Sequence, residues 1–212
     1  MRLGWLKRSI ESVPPIPSPD PGLEQYTTPA ELALSIAGHA LHSGLLQGST
    51  VADLGAGTCR LAAALLLLGA GRVVAVDADP RLAPICLDAL ERLGVGGRLA
   101  YIISRVTGHR GPLAPCSVDL VASNPPFGVH RRGADWEVLL HALEAARLRV
   151  YAILKSGNID YHRRAAARMG YRVRLLESRP FPIPASMRHH VSRIRRVMVD
   201  VVLFEREGGC TG

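Results

Sequence analysis

The sequence predicts an α/β fold with a mostly parallel, seven-stranded sheet that carries helices on both faces. Short runs of β-branched and aliphatic residues alternate with segments whose apolar residues recur at helical spacing, and this alternation is typical of such sheets. Four of the predicted strands end at a polar residue, namely Asp53, Asp77, Ser104 and Asn124. Because ligands bind beyond the carboxyl ends of parallel strands, we expect one ligand site at that edge.

The individual elements follow from local pattern. Strands are predicted over 50–54, 72–76, 99–104, 118–123, 149–154, 172–177 and 195–204, and helices over 1–10, 29–43, 60–68, 80–93, 136–147 and 159–169. Thr28 is expected to cap the second helix, with Pro29 at its first position. Residues 13–22 carry five prolines. Proline excludes a helix or an inner strand there, so we expect an extended lead-in that wraps the body.

Composition indicates one domain and an anionic partner. The chain has 212 residues, is 48% apolar and carries a formal net charge of +8, and this length suffices for one substantial core. Lys7 and Lys155 are the only lysines, and arginine binds phosphate in a bidentate manner. Nucleic acid is the first candidate, although a compositional bias would leave the same charge. Asn124 and Asn158 are the only asparagines, a depletion typical of thermophiles.

The cysteines and the N-terminus predict a cytoplasmic protein. Four widely spaced cysteines form no CxxC pair, so we expect neither a zinc site nor a disulfide framework and assume a reducing compartment. The start of the chain has no signal peptide pattern. The most apolar run, over 61–71, is about half the ~20 residues that span a bilayer. We therefore expect no membrane segment.

A glycine turn and an acid indicate a nucleoside cofactor. Gly55 and Gly57 follow the first strand and let the backbone turn close to a ligand. Arg60 stands where a dinucleotide fingerprint has its third glycine. Asp77 ends the next strand and is placed to accept hydrogen bonds from a ribose diol. Capping of the following helix is its alternative role, for which Asp79 is better suited. Adenosylmethionine and a dinucleotide both remain open at this point.

The fourth strand ends in a motif suited to methylation of a planar nitrogen. Two prolines, Pro125 and Pro126, freeze the turn after Asn124. The carbonyls of Ser123 and Pro125 and the Asn124 amide are expected to converge on one spot. Acceptors there would localise electron density on an exocyclic amine, and Phe127 would stack on the base. No tuned general base is needed. The alternative is that the tetrapeptide is only a rigid loop.

These motifs, together with Glu24-Gln25-Tyr26-Thr27-Thr28, resemble the archaeal and eukaryotic small-subunit ribosomal RNA adenine-N6 methyltransferases over roughly residues 23–204. The resemblance implies a Rossmann-like class I S-adenosylmethionine methyltransferase fold. We expect a proline-rich lead-in over 1–22, the methyltransferase domain over 23–206 and a flexible tail over 207–212. The family usually has an aspartate where this chain has Ser104.

The resemblance also implies the roles of individual residues. The expected cofactor-binding residues are Gln25, Tyr26, Thr28, Asp53, Gly55, Gly57, Thr58, Asp77, Ser104 and Asn124. The expected catalytic residues are Asn124, Pro125, Pro126 and Phe127, which would hold the target adenine. The chain is therefore expected to methylate the N6 amine of an adenine in RNA, with small-subunit ribosomal RNA as the substrate that the family implies.

Basic residues near the motif are expected to bind RNA. Arg131 and Arg132 follow it directly, and with Lys155 they are predicted to contact phosphates beside a flipped base. His130, His189 and His190 suit backbone contact and lack metal-ligand spacing. The arginines of the C-terminal third would extend this surface, or else form a solvated face. Eukaryotic family members work with a small zinc-binding activator that pairs along a sheet edge, and residues 46–52 are the expected contact.

Two other functions fit part of the pattern. A protein glutamine-N5 methyltransferase also places an Asn-Pro-Pro turn against an amide, but it usually carries tyrosine after the prolines. Phe127 and the net charge of +8 favour a base instead. A catalytically idle RNA-binding subunit is the second alternative, and the intact set of Asp53, Asp77 and Asn124 argues against it.

Overall fold

The computed structural model describes residues 3–128, 131–184 and 194–210. Helices and strands alternate through these ranges. The helices are α1 (Leu3–Glu11), α2 (Ala30–His42), α3 (Arg60–Leu67), α4 (Leu82–Arg92), α5 (Ala134–Ala145) and α6 (Ile159–Ala167). The strands are β1 (Thr50–Leu54), β2 (Arg72–Asp77), β3 (Leu99–Ile103), β4 (Val118–Ser123), β5 (Ala146–Lys155), β6 (Tyr171–Pro184) and β7 (Ile194–Arg206).

The strands form one seven-stranded sheet in the order β3-β2-β1-β4-β5-β7-β6. Strands β1 to β5 pair in parallel, and β7 runs antiparallel between β5 and β6. Successive residues of a strand face opposite sides, so Val51 joins the core under α1 to α4 while Ala52 joins the core under α5 and α6. The predicted mostly parallel sheet with helices on both faces is confirmed.

Several predicted boundaries are wrong. Strand β5 begins at Ala146, three residues before its predicted start, and β6 continues to Pro184, seven residues beyond its predicted end. The bounds of α5 and the cap of α2 also differ. Gly133, in the left-handed region at φ 81°, ends the preceding loop, and α5 begins at Ala134, two residues before the predicted start. The helix ends at Ala145 because Ala146 already pairs with Val118 in the sheet. Thr28 does not cap α2: Pro29 takes the N-cap position, without a side-chain cap.

The proline-rich segment wraps the body as predicted. Helix α1 precedes it and buries Leu6 and Ile10, and Val13 is fully buried behind them. The Val13 carbonyl accepts a hydrogen bond from Arg60 Nε at 3.0 Å. The next carbonyl, of Pro14, accepts one from the Thr58 hydroxyl at 2.7 Å. The lead-in is thereby tied to the turn that follows β1.

The four cysteines form two disulfides, so the expectation that they stay unpaired is wrong. Cys59 pairs with Cys86, and Cys116 pairs with Cys210, with Cα–Cα distances of 5.4 Å and 6.1 Å. The partners are 27 and 94 positions apart in sequence, and only the folded chain brings them together. Cys210 lies in the predicted tail over 207–212, which is therefore anchored to the domain at that residue.

The described residues contain neither a metal-binding cluster nor a membrane-spanning helix. They hold no cluster of three or more histidine, cysteine or acidic side chains that could bind a metal ion. Among the same residues, no helix has the length and apolar character needed to cross a membrane.

Candidate active site

A cleft opens at the carboxyl edge of the sheet, where the sequence places the ligand site. It is lined by the turn after β1, the ends of β2 and β4, the loop after β3, and the lead-in segment. Three of the four polar strand ends line it, namely Asp77, Ser104 and Asn124. Other predicted residues that line it are Gln25, Tyr26, Thr28, Gly55, Gly57, Thr58, Pro126 and Arg131.

The turn after β1 has a backbone that favours glycine. Gly55 and Gly57 have φ values of 73° and 55°, in the left-handed region where a side chain is strained. The Gly57 amide donates a hydrogen bond to Asp77 Oδ2 at 2.8 Å, which joins the ends of β1 and β2. A Cβ at Gly57 would stand 3.2 Å from the Ile16 side chain. The turn is thus held between the second strand and the lead-in.

Asp77 lies in the cleft as a partly buried carboxylate. Its Oδ1 accepts a hydrogen bond from the Asp79 amide at 2.9 Å, and burial raises its pKa. Each carboxylate oxygen has two lone pairs, so both can also accept from a diol. Asp79 instead accepts from the Arg81 amide at 3.0 Å and from Gln25 Nε2 at 2.9 Å. It therefore orders the turn before α4 and anchors Gln25 over the cleft, but the expected capping role is wrong, because α4 begins at Leu82 with Arg81 at its N-cap.

Asp53 has a different place from the one expected, because it does not line the cleft. Its side chain is only 1% exposed, and Oδ2 accepts a hydrogen bond from the Ala62 amide at 3.0 Å. This bond ties the first turn of α3 to β1. Burial raises the pKa of Asp53 to about 7, and the nearby charge of Asp77 acts in the same direction.

The pKa of Asp53 predicts a pH dependence of stability. Its carboxyl has an ordinary pKa of 3.8 when unfolded and about 7 when folded. Between these values the folded state binds the proton more tightly, so this group's contribution to the free energy of unfolding falls as pH rises. Asp53→Asn removes the ionisation. We expect the variant's stability relative to wild type to increase with pH in this window, by up to about 1.4 kcal/mol per pH unit.

Chemical denaturation of both proteins between about pH 5 and about pH 8 measures this difference. All other titrating groups are shared, so they cancel in the comparison. Curves that stay parallel over the whole range would show that Asp53 does not titrate there.

Asn124 is held in one orientation by the segment that directly precedes α2. Its Nδ2 donates to the Tyr26 carbonyl at 3.3 Å and to Thr28 Oγ1 at 3.1 Å. A backbone carbonyl can only accept, so the amide nitrogen must face Tyr26. The side-chain oxygen Oδ1 is then buried without a hydrogen-bond partner among the described residues. A buried acceptor left unpaired is costly, and this one belongs to a residue that lines the cleft.

Phe127 is packed more deeply than expected. Its ring is 6% exposed and stacks on Tyr26, with ring centroids 5.3 Å apart and planes 20° apart. Phe181 meets the same ring edge-on at 5.3 Å. Stacking of Phe127 on a base stays a prediction, and it requires the ring to be uncovered. Pro125 is buried beside it and helps to hold the turn.

The remaining predicted residues differ in how close they lie to the cleft. The Thr58 hydroxyl is already bonded to Pro14, so its backbone is the group left to face a ligand. The Ser104 amide donates to the Asp77 carbonyl at 2.9 Å, which fixes the end of β3. Arg132 and Lys155 are exposed and lie outside the cleft lining. His130, His189 and His190 lie outside the described residues.

Sequence reasoning missed one part of the cleft lining and one ring that packs against Phe127. The loop after β3, with Arg105, Val106 and Thr107, lines it opposite the lead-in. Its place after the carboxyl end of a strand was the available signal. Phe181 comes from β6, far along the chain, and no local pattern could connect it with Phe127.

The prediction that residues 46–52 contact an activator subunit is wrong. Strand β1 is hydrogen-bonded to β2 on one side and β4 on the other. Leu46, Val51 and Ala52 are fully buried. The edges of the described sheet are β3 and β6. A near-continuous apolar run marks a strand buried on both faces, so the apolarity of this segment reflects the core.

Proteins of the predicted kind align with almost the whole chain. It is 29% identical over 215 residues to the rRNA N6-adenosine-methyltransferase Mettl5 of Drosophila melanogaster, covering 97% of this chain and 97% of that protein. It is 26% identical to the rRNA N6-adenosine-methyltransferase METTL5 of Danio rerio, covering 96% of this chain and 99% of that protein.

A solved structure and a family model also match this chain, and both are named as methyltransferases. The crystal structure of a candidate RNA methyltransferase from Pyrococcus horikoshii superposes with a TM-score of 0.86 at 29% identity, over 98% of this chain and 99% of that one. The model of the ribosomal protein L11 methyltransferase family (PrmA) matches residues 31–93, the segment that carries the glycine turn and Asp77. These findings confirm a Rossmann-like class I methyltransferase fold and the resemblance to the archaeal and eukaryotic ribosomal RNA adenine-N6 methyltransferases.

Proposed function

We propose that this chain is an S-adenosylmethionine-dependent methyltransferase that methylates the N6 amine of an adenine in small-subunit ribosomal RNA. The observation that carries the proposal is the buried Oδ1 of Asn124, an acceptor held in place with no partner among the described residues. An exocyclic N–H group would supply that partner. The names of the fly and zebrafish relatives support ribosomal RNA as the substrate class.

The cleft fits an adenosylmethionine molecule. Asp77 offers a carboxylate for a ribose diol, and the glycine turn brings backbone close to the ligand without side chains. Ser104 lines the cleft at the end of β3, where a hydroxyl can pair with a base amine. When bound, the cofactor supplies an electrophilic methyl group on a positively charged sulfur. Asp77 would hold the ribose of the cofactor, and Asn124 would hold the attacking nitrogen towards its methyl group.

The residues of the β4 turn prepare the nitrogen for attack. An aromatic amine is a weak nucleophile because its lone pair is delocalised into the ring. Asn124 Oδ1 accepts one of its N–H bonds and shifts electron density onto nitrogen, and the rigid Pro125-Pro126 turn keeps this geometry. The lone pair is then directed out of the ring plane towards the methyl group. Transfer would form a nitrogen–carbon bond as the methyl–sulfur bond breaks, and the electron pair of the broken bond would stay on the sulfur as a neutral thioether. The nitrogen would then carry the positive charge and release a proton to water, so no buried base is required.

Loss of the Asp77 carboxylate tests the cofactor side. We expect Asp77→Ala to weaken adenosylmethionine binding about 10- to 100-fold, because hydrogen bonds to a charged acceptor contribute about 1.5–3 kcal/mol. Calorimetric titration of the cofactor measures the change. Asp88→Ala is the matched control, since Asp88 is a 61% exposed acid on α4. Equal adenosylmethionine affinity of the Asp77 variant and wild type would show that Asp77 does not bind the ribose diol.

The RNA side is built from cations at the same edge. Arg131 lines the cleft and forms a two-bonded ion pair with Glu137, at 2.5 Å and 2.7 Å. Arg132 follows Arg131 directly and Lys155 ends β5, and both are exposed. We propose that all three contact phosphates beside the target adenine, with some loss of the Glu137 pair on binding.

We place this activity in the cytoplasm, where ribosomal RNA is accessible. Two disulfides are compatible with that compartment in hyperthermophiles, whose intracellular proteins are disulfide-rich. The scarcity of asparagine and glutamine points the same way. If a zinc-binding activator subunit pairs with this chain, we propose that it does so along β3 or β6, the exposed edges of the described sheet.

A methyl-transfer assay tests the function directly. Purified protein is incubated with methyl-labelled adenosylmethionine and with small-subunit particles, and RNA and protein are separated before counting. We expect label in the RNA and, after digestion, in N6-methyladenosine. Label in a ribosomal protein instead would favour the glutamine-N5 alternative. Cofactor binding without any transfer would favour the idle RNA-binding subunit.

A further inference from the structure

Two aromatic rings meet at the active edge of the sheet but take no part in the proposed transfer. Trp136 is in the first turn of α5 and Tyr161 is in the first turn of α6. These helices follow β4 and β5, which are neighbours whose carboxyl ends share the edge that Asn124 occupies. The two rings contact each other edge-to-face, with centroids 5.7 Å apart. The aromatic pair therefore lies on the side of the protein that an RNA substrate must approach.

A buried histidine supports the aromatic pair from below. His162 is only 1% exposed and packs under both rings, 5.4 Å from Tyr161 and 6.1 Å from Trp136. Its Nε2 is 3.6 Å from an Asp135 carboxylate oxygen at the start of α5. The cluster thereby connects α6 to the first turn of the helix that begins at the cleft, where Ala134 is a lining residue. Its rings are held in position before any ligand arrives.

The outer face of the pair is open. Tyr161 is 50% exposed, although burial of a ring of this size would favour folding. Other residues of α6 supply its contacts with the core. Tyrosine in this position offers a flat π-face to solvent. Base–aromatic stacking is insensitive to sequence and suits a nucleotide beside the one that is modified.

The charges around the pair match a nucleic acid. Arg132, Lys155 and Arg164 are exposed cations at the start of α5, the end of β5 and the second turn of α6. Arg163 is exposed beside them and pairs with Asp160 at 2.9 Å. Together with Arg131, these cations outnumber the three acids in the first turns of α5 and α6, namely Asp135, Glu137 and Asp160, so the surface attracts a phosphate backbone. An aromatic face bordered by cations is the usual arrangement for single-stranded nucleic acid.

We propose that Trp136 and Tyr161 form a stacking platform for a nucleotide that flanks the methylated adenine in single-stranded RNA. This inference rests on the proposed function and adds a specific contact to it. Tyr161 supplies the exposed face, Trp136 and His162 support it from behind, and the neighbouring cations hold the adjoining phosphates. A flanking base stacked here compensates in part for the unstacking of the target adenine.

The test compares RNA binding by three variants of Tyr161. A short fluorescein-labelled single-stranded RNA with a central adenosine is titrated at fixed ionic strength. We expect Tyr161→Ala to weaken binding about tenfold, since stacking of one base contributes about 1–3 kcal/mol. Tyr161→Phe keeps the π-face and should bind like wild type. Tyr161→Leu keeps apolar bulk without a π-face and should resemble the alanine variant.

Controls separate the platform from the rest of the account. Trp5→Ala removes a 46% exposed aromatic ring from α1, on the opposite face of the sheet, and should leave binding unchanged. Thermal unfolding and adenosylmethionine affinity should match wild type in the Tyr161 variants. In the methylation assay, Tyr161→Ala should raise KM for RNA and leave kcat nearly unchanged.

Each other result overturns the platform. Equal RNA affinity of the alanine and wild-type proteins would do so, and so would a defect seen with small-subunit particles but not with free RNA, since that would indicate a protein contact. A protein that methylates no RNA would refute the proposed function, yet the binding titration would still decide whether Tyr161 contacts RNA.

Discussion

Replacing Asn124 with alanine is expected to lower methyl transfer to RNA about 100- to 1000-fold, the usual loss when one oriented polar group at a reacting centre is removed. The side chain does two things at once. Its nitrogen is bonded to Tyr26 and Thr28, and its oxygen is the buried acceptor in the cleft. Alanine removes the acceptor and so leaves the amine without the bond that activates it. Initial rates at saturating cofactor and RNA measure this effect on kcat.

The other asparagine provides a matched control. Asn158 precedes α6, is exposed and forms no side-chain cap bond, so Asn158→Ala should retain wild-type activity. Adenosylmethionine binding should remain measurable in the Asn124 variant, which shows that the cleft is still formed. Full activity of Asn124→Ala would mean that the β4 turn does not perform the chemistry assigned to it.

Removing the disulfides is expected to produce the largest loss of stability. In the chain-entropy model, closing loops of this length contributes about 3.5 kcal/mol for Cys59–Cys86 and about 4.7 kcal/mol for Cys116–Cys210. Cys59 and Cys86 are fully buried, and Cys59 directly follows the turn that lines the cleft. We expect each cysteine-to-alanine pair to lower the unfolding free energy by a large part of these amounts, measured by chemical denaturation.

The two pairs should differ in their effect on the cofactor. Loss of Cys59–Cys86 frees the start of α3 next to Thr58, so weaker adenosylmethionine binding should accompany the loss of stability. Loss of Cys116–Cys210 frees the chain terminus, far from the cleft lining, and should leave that affinity intact. Thiol titration of the unfolded wild-type protein provides the control. Four reactive thiols there, with no stability change in the variants, would show that the bridges do not form.

The fold could be predicted in detail because its signals are local. Strands β1 to β4 are short apolar runs, and the turns after β1 and β4 are marked by glycine and proline. The longer strands β5 to β7 were predicted from their apolar parts, but their full extent was not. The same locality accounts for the active edge: Asp77 and Asn124 end strands whose order follows from α/β topology. Motifs placed at strand ends were therefore brought together as expected, and the EQYTT segment meets Asn124 through Tyr26 and Thr28.

What could not be predicted depends on which distant segments meet. The disulfides join cysteines whose spacing carries no motif. Phe127 is covered by Tyr26 and Phe181, from opposite ends of the chain. The apolar run over 46–52 is compatible with an exposed edge strand and with a central strand. Only the order of the strands in the sheet shows that it is central. Asp53 has a carboxylate of the kind that binds ligands, but this carboxylate accepts a hydrogen bond from the Ala62 amide instead.

Nucleoside mass spectrometry of small-subunit ribosomal RNA, from cells with and without this protein, determines whether the chain methylates adenine in that RNA. We expect one N6-methyladenosine that is lost with the protein and restored by the wild-type chain but not by the Asn124→Ala chain. An unchanged level of N6-methyladenosine in the RNA of cells without the protein would contradict it.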